Sequence, residues 1–312
     1  MSEPDDLKIL ALSVDDCGFE SYYRVLVDGK KIKYVSIDGG IYDTDDLCFP
    51  PALLSKLPPF PPGDWNLAHI TKSIETTKPQ FAWTVQKAFR GITHPWHATK
   101  LDYLFLNLGK MLMSNVYEAS SELFNTPIIA KFARFPWEID YYEAETQAYA
   151  WIEGHGIGPR FLGHLTEEGR IVGFLLERVE GRHAATDDLP ACRAVVSKLH
   201  DLGIVHGDLN KHNFLISESR VVLLDFETAK RSEDTDAMDR ELRKLEEQLL
   251  DESGKGARVT VAPELEAELS EINRRDGGCC DELLEQARKG KITITSEQNR
   301  ELLKRQRGEL TS

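Results

Sequence analysis

The chain has 312 residues, 41% hydrophobic and 29% charged, enough for a sizeable core in one large domain or two modest ones. Its 13 Phe, 9 Tyr and 5 Trp exclude disorder of the whole chain, and no apolar run approaches the ~18 residues of a membrane span. Fifty-two acidic against 38 basic side chains give a formal charge of −14, a field that repels nucleic acid and anionic lipid.

The amino terminus, Met1-Ser2-Glu3-Pro4-Asp5-Asp6, is acidic and has no apolar signal region, as expected of a protein that is not secreted. Residues 7–14 (LKILALSV) read as a strand. Tyr22–Val27 and Lys30–Ile37 flank Asp28-Gly29, a pair that signals a hairpin between β-type runs. Residues 50–62 hold six of the 14 prolines and predict a stiff extended strap, on which a partner domain could also dock. From Gly63 to His97 the pattern is mixed helix and loop, with Trp65, Phe81, Trp83, Phe89 and Trp96 available for packing. His94 and His97 are three apart, but Pro95 disfavours a helix start and no third ligand is near, so packing is expected. From Leu101 short strands and helices alternate to about Leu250. The last sixty residues are charged and helical in pattern, with a helix start at Thr295-Ser296-Glu297 and a loop at Gly277–Cys280. Three regions follow: an N-terminal extension (1–100), a central domain (101–254) and a helical tail (255–312). Cys17, Cys48, Cys192, Cys279 and Cys280 lack zinc-type spacing and read as reduced thiols, so an intracellular, cytoplasmic location is expected.

The chemistry concentrates in one segment. A helix over Leu189–Leu202 ends at Gly203, a β-type pair follows, and the polar loop His206-Gly207-Asp208-Leu209-Asn210-Lys211-His212-Asn213 leads into an apolar strand. Twelve residues beyond Asn213, the strand Val221–Leu224 delivers Asp225-Phe226-Glu227. Two carboxylates and an amide oxygen converging on one cleft form a hard-oxygen site suited to Mg²⁺ with nucleotide phosphates.

HGDLNKHN followed by LLDFE resembles the catalytic and metal-binding loops of the protein-kinase-like superfamily, written H-R-D-L-x-x-x-N and D-F-G in ordinary protein kinases. The spacings of five (Asp208 to Asn213) and twelve (Asn213 to Asp225), in a helix–loop–strand context, carry the resemblance. It implies a two-lobed α+β kinase-like fold with a reduced C-lobe, an N-terminal β-containing extension and a helical tail. It also implies that Asp208 orients or deprotonates a hydroxyl, that Asn213 and Asp225 bind Mg²⁺, and that ATP is the co-substrate.

Upstream, Ile128-Ile129-Ala130-Lys131 is similar to the strand whose lysine holds the α- and β-phosphates. A glutamate on the next helix should pair with that lysine. Glu145 shares a face with Ala148, Tyr149 and Ile152 at helical spacing and points inward, whereas Glu143 groups with Gln147 on the wetter side as a solvated charge. Gly158–Glu177 forms a hairpin ending in Leu175–Gly181, which resembles the hinge between kinase lobes. By that likeness backbone groups around Glu177 and Val179 meet the adenine edge, with Leu176 near the gatekeeper position.

The chain also departs from the pattern. Only Gly109 remains where G-x-G-x-x-G is expected, so the backbone has less freedom to wrap over phosphate, and Ser114 and Asn115 are substitute donors. Lys211 lies one position later than the lysine of serine/threonine kinases that neutralises the moving γ-phosphate. His206 reads as a loop organiser, while Glu227 is either a supporting group behind the site or a solvated charge. Gly207 replaces the arginine that grips a phosphorylated activation segment, and no A-P-E follows Asp225. These features resemble aminoglycoside phosphotransferases, choline-type kinases and small atypical kinases, and segments such as GITHPWHATKLDYLFL resemble a group of fungal kinase-like proteins.

The function expected is constitutive, ATP–Mg²⁺-dependent phosphoryl transfer to a hydroxyl of a small molecule or one protein partner, with no nucleic-acid or membrane partner. The proline-rich strap and the tail are the expected partner-binding segments. A pseudokinase binding module and a kinase fold transferring adenylate are the alternatives.

Overall fold

The computed structural model describes residues 6–14, 19–113 and 115–251. The sequence expectations for Cys17, Ser114 and the whole tail (255–312), including its helix start and its cysteine loop, lie outside these residues.

The chain opens with strands β1 (Leu7–Ser13), β2 (Ser21–Val27) and β3 (Lys31–Ile37), helices α1 (Thr44–Cys48) and α2 (Pro50–Lys56), and strands β4 (Leu67–Lys72) and β5 (Pro79–Val85). The strands form a five-stranded sheet in chain order, antiparallel except where β3 runs parallel to β4. The β2–β3 hairpin turns at Asp28 and Gly29, both left-handed (φ 52 and 65), the conformation that an Asp-Gly pair tolerates. Val25, Val35, Leu53, Trp65 and Ile70 bury a core between this sheet and the two short helices.

Two sequence expectations are corrected here. Residues 50–56 are helix rather than extended strap, because Pro50 and Pro51 occupy the first helical turn, where a missing N–H costs no hydrogen bond. Only Leu57–Pro62 continues as irregular chain, anchored by the Trp65 indole donating to the Pro61 carbonyl at 2.8 Å. Residues 63–97 contain the β4–β5 hairpin and no helix among the described residues. Ala68 and Ile70 alternate inward along β4, and the β-favouring Phe81 and Trp83 on β5 suit a strand with one open side.

A second sheet follows: β6 (Lys100–Asp102), β7 (Asn107–Met113), β8 (Val116–Ser120), β9 (Ile128–Phe132), then helix α3 (Ile139–Ile152), β10 (Phe161–Glu167) and β11 (Arg170–Glu177). The strand order is β6-β10-β11-β9-β8-β7, with β6 parallel to β10 and α3 packed on β11. The remainder is β12 (Arg182–His183), α4 (Leu189–Asp201), β13 (Ile204–Val205), β14 (Phe214–Ile216), β15 (Val221–Leu223), β16 (Lys230–Arg231) and α5 (Thr235–Leu250). One continuous core runs from this sheet through α3 to α4 and α5, with Phe174, Tyr149, Phe226, Val196 and Leu245 along its length. The architecture is mixed α+β, with several sheets and five α-helices among the described residues, and is compatible with a kinase-like fold.

A buried polar cluster joins the two large sheets. Arg24 of β2 is fully buried and donates to Glu167 of β10 from Nε at 2.8 Å and Nη2 at 2.5 Å. The other Glu167 oxygen accepts from Tyr34 at 2.6 Å and Arg170 at 2.7 Å. Burial opposes ionisation of Glu167, but the two guanidinium groups and the Tyr34 hydroxyl hold its pKa below the usual carboxylate value.

Candidate active site

Strand β9 lies between β8 and β11, and Lys131 on it reaches toward α3. Its Nζ lies 2.6 Å from Glu145 Oε2 and 2.7 Å from Asp225 Oδ1. Glu145 sits on the buried face of α3 with Ala148, Tyr149 and Ile152, the periodicity that singled it out in the sequence. Its other oxygen accepts from the Phe226 amide at 3.3 Å, so the helix is tied to the backbone that carries Asp225.

One ammonium therefore serves two carboxylates. Lys131's positive charge holds the Asp225 pKa down. Burial pushes Glu145 from 4.5 up to about 7, because desolvation outweighs the attraction of a lysine it shares. Lys131 is raised despite burial, since both acids favour its charged form. A carboxyl that binds its proton more tightly when folded loses stabilising effect as pH rises. The stability difference between wild type and Glu145→Gln is therefore expected to move against wild type from pH 4.5 through about 7. Urea melts of both proteins across that interval measure it, and parallel pH profiles would contradict it.

The second half of the site is the loop after α4. Gly203 (φ 70) ends that helix and β13 leads into His206. Gly207 is left-handed at φ 86, and a Cβ there would stand 2.9 Å from the Thr228 carbonyl oxygen. Glycine at this position thus answers a steric demand, besides removing the arginine of regulated kinases. His206 is fully buried, its Nε2 lies 3.0 Å from the Leu224 carbonyl, and burial lowers its pKa. The Leu224 amide donates to the Asn213 carbonyl at 2.8 Å and Thr228 Oγ1 donates to the His206 carbonyl at 2.9 Å. These bonds stitch the Asp208 loop to the Asp225 turn.

Asn213 Nδ2 donates to the Asp208 carbonyl at 2.8 Å, and its Oδ1 takes no hydrogen bond among the described residues. That oxygen and the Asp225 carboxylate are hard oxygen donors of the kind Mg²⁺ takes, which uses one or two protein oxygens and completes its shell with phosphate and water. Among the described residues no cluster of three or more His, Cys, Asp or Glu forms a metal site by itself. His94 faces Glu143 instead, with Nδ1 2.9 Å from Oε1, and the His97 amide donates to His164 Nε2 at 3.2 Å. Asp225 itself is held at φ 61, a left-handed conformation that costs a non-glycine residue energy.

Leu176 is buried at the end of β11, and Glu177 and Val179 line a cavity of 530 Å³ with Gly181, Ile216 and Arg220. Neither Lys131 nor Asp225 lines it. The Glu177 amide is used by the Arg160 carbonyl at 2.9 Å, and its carboxylate pairs with Arg220.

Other positions differ from the sequence reading. Gly109 lies within β7, where the pairing with β8 is irregular, and a Cβ there would stand 3.2 Å from the Glu118 carbonyl oxygen. Its small size thus serves strand contact rather than a loop tip. Asn115 is left-handed at φ 65, and its Nδ2 donates to Glu138 at 3.3 Å instead of standing ready for phosphate. Lys211 is not brought into the Lys131–Asp225 group, because its Nζ donates to the Asp251 carbonyl beyond α5. Asn210, two residues after Asp208, has Nδ2 3.4 Å from Asp208 Oδ2 and stands where the kinase lysine would. Glu227 is exposed, and Glu143, read as solvated, is 13% exposed and bound to Arg90, Thr93 and His94.

Glu241 of α5 was not found by sequence reasoning. Its carboxylate accepts from the Gly207 amide at 2.7 Å and the His206 amide at 3.2 Å, and it lies 2.7 Å from His200 Nε2. It fastens the Asp208 loop from behind. Nothing local marks it among the many acids of its helix.

Residues 179–266 match the model of the lipopolysaccharide kinase (Kdo/WaaP) family. That span, just over a quarter of the chain, includes the Asp208 loop and Asp225. The match fits the protein-kinase-like superfamily and suggests a kinase-like phosphotransferase. No curated protein matches the chain significantly. No helix among the described residues is long and apolar enough to cross a membrane.

Proposed function

We propose that the chain is an ATP- and Mg²⁺-dependent phosphotransferase with a two-lobed kinase-like core, acting on a hydroxyl of a small molecule or one protein partner. The observation that supports it best is Lys131 held between Glu145 and Asp225 at 2.6 and 2.7 Å, beside an Asp208 loop fixed to the same turn. In this reading Lys131, steadied by Glu145, holds the nucleotide phosphates, and the Val179 backbone and Leu176 receive the base. Asn213 and Asp225 hold Mg²⁺, which neutralises phosphate charge when bound. Asp208 orients the acceptor hydroxyl and takes its proton, while Asn210 lies close enough to orient the Asp208 carboxylate. The contribution of these groups is mainly positioning and charge stabilisation.

Calorimetry should show ATP binding that requires Mg²⁺ and is lost, or weakened at least ~100-fold, in Asp225→Ala, which removes a ligand and a lysine partner together. Equal affinity in EDTA and in the variant would remove the metal site. The acceptor is sought with phosphatase-treated protein on peptide arrays and on metabolites, sugar hydroxyls included because the matched family is named for lipopolysaccharide. Release of ADP supports phosphoryl transfer, and release of pyrophosphate supports adenylate transfer. Phosphorylation of many unrelated peptides would overturn the narrow substrate class.

A further inference from the structure

The segment Lys87–His97, between the first sheet and the second, places Ile92 in the larger core with Phe89 and Trp96 packed against it, and it also makes a dense set of polar contacts to α3. Arg90 forms ion pairs with Asp140 and Glu143. The Thr93 amide donates to Glu143 Oε1 at 3.1 Å, its hydroxyl donates to the same oxygen, and His94 Nδ1 lies 2.9 Å away. One turn further, the Trp96 indole donates to the Thr146 carbonyl at 3.0 Å. Burial resists ionisation of Glu143, but these hydrogen bonds and Arg90 hold its pKa down at about 2, so it is a firmly charged anchor.

The geometry of α3 gives these contacts a purpose. Glu143 and Glu145 are two residues apart and point about 200° away from each other around the helix. Lys131 grips one face and the Arg90–Trp96 segment grips the opposite one. The segment itself is seated on β11. The Ile92 amide donates to the Ile171 carbonyl at 2.9 Å, Arg170 donates to the Arg90 carbonyl at 3.1 Å, and Ile92 is buried. Gly91 lies so close that a Cβ would stand 2.8 Å from the Ile171 carbonyl oxygen.

We propose that Arg90, Thr93 and Trp96 are positioning residues that lock α3 in register, so that Glu145 reaches Lys131 before any nucleotide binds. The proposal rests on the assignment of Lys131 as the phosphate-holding residue. It makes the Glu145–Lys131 pair a product of the chain's own linker rather than of a separate activating partner.

The test is hydrogen exchange of α3 in the ligand-free full chain, together with ATP–Mg²⁺ affinity. Glu143→Ala should speed exchange of the α3 amides about tenfold, while the first sheet stays protected. The same variant should weaken ATP–Mg²⁺ binding about tenfold. Glu143→Gln keeps an acceptor for Thr93 and should recover much of both losses. Gly91→Val acts without touching α3, by lifting the segment off β11, and should reproduce the Glu143→Ala behaviour. If exchange and affinity remain at wild-type level in both Glu143→Ala and Gly91→Val, the positioning role is wrong. If wild type binds no ATP, the functional reading fails, while the exchange arm still decides whether the segment locks α3.

Discussion

Asp208→Asn is expected to lower turnover at least ~100-fold while leaving ATP affinity within about threefold of wild type. The carboxamide has the shape of the carboxylate but cannot accept the acceptor's proton. The fold of the loop should survive, because Asn213 binds the Asp208 carbonyl at 2.8 Å, and His206 and Gly207 hang from Glu241 through their own amides. The nucleotide groups should survive as well, since Lys131, Glu145 and Asp225 are held by one another. Single-turnover kinetics beside calorimetry separates these two outcomes. Unchanged turnover removes Asp208 from the chemistry, and lost ATP affinity makes it a structural residue of the nucleotide site.

Glu167→Ala should be the most damaging substitution outside that site. It strands the fully buried Arg24 guanidinium, which has no solvent to turn to, and it takes away the acceptor of the Tyr34 hydroxyl and one Arg170 contact as well. Removing one partner of a buried ion pair costs about 3–5 kcal/mol. In a chain of this size that lowers the melting temperature by roughly 10 °C. The double substitution Arg24→Met with Glu167→Leu removes both fully buried charges and should recover much of the loss, since the partly exposed Arg170 keeps the Tyr34 hydroxyl and the Arg90 carbonyl as acceptors. A single-variant loss below about 1 kcal/mol would show that water reaches this cluster and that it does not hold the sheets together.

Two kinds of information separate along this chain. Asp208, Asn213 and Asp225 were legible because their spacing sits between a helix stop at Gly203 and apolar strands, all within a few tens of residues. Glu145 was legible because helical periodicity sorts residues onto faces before any tertiary contact forms. The β1 strand and the Asp-Gly hairpin were legible for the same local reason. Pro50–Lys56 was misread because proline suits a first helical turn as well as an extended strap, and composition does not separate the two. The β4–β5 hairpin was missed although Phe81, Trp83 and Val85 alternate along β5, because the connection at 73–78 holds no glycine and no Asn-Gly or Asp-Gly pair to signal the turn.

What the sequence by itself determined is the local arrangement: an aspartate, an amide and a second carboxylate on loops between apolar elements, with a lysine strand and a glutamate helix before them. Tertiary structure decided the rest. It chose Glu241 from an acidic helix, turned Lys211 toward Asp251, set Asn115 against Glu138 and gave Glu143 to Arg90 and Thr93. It also joined Arg24 to Glu167 across 143 positions of chain. Such pairings leave little local trace, because a charge on a helix face or strand looks the same whether water or a distant partner solvates it. Only the packing that excludes water decides which partner it must take.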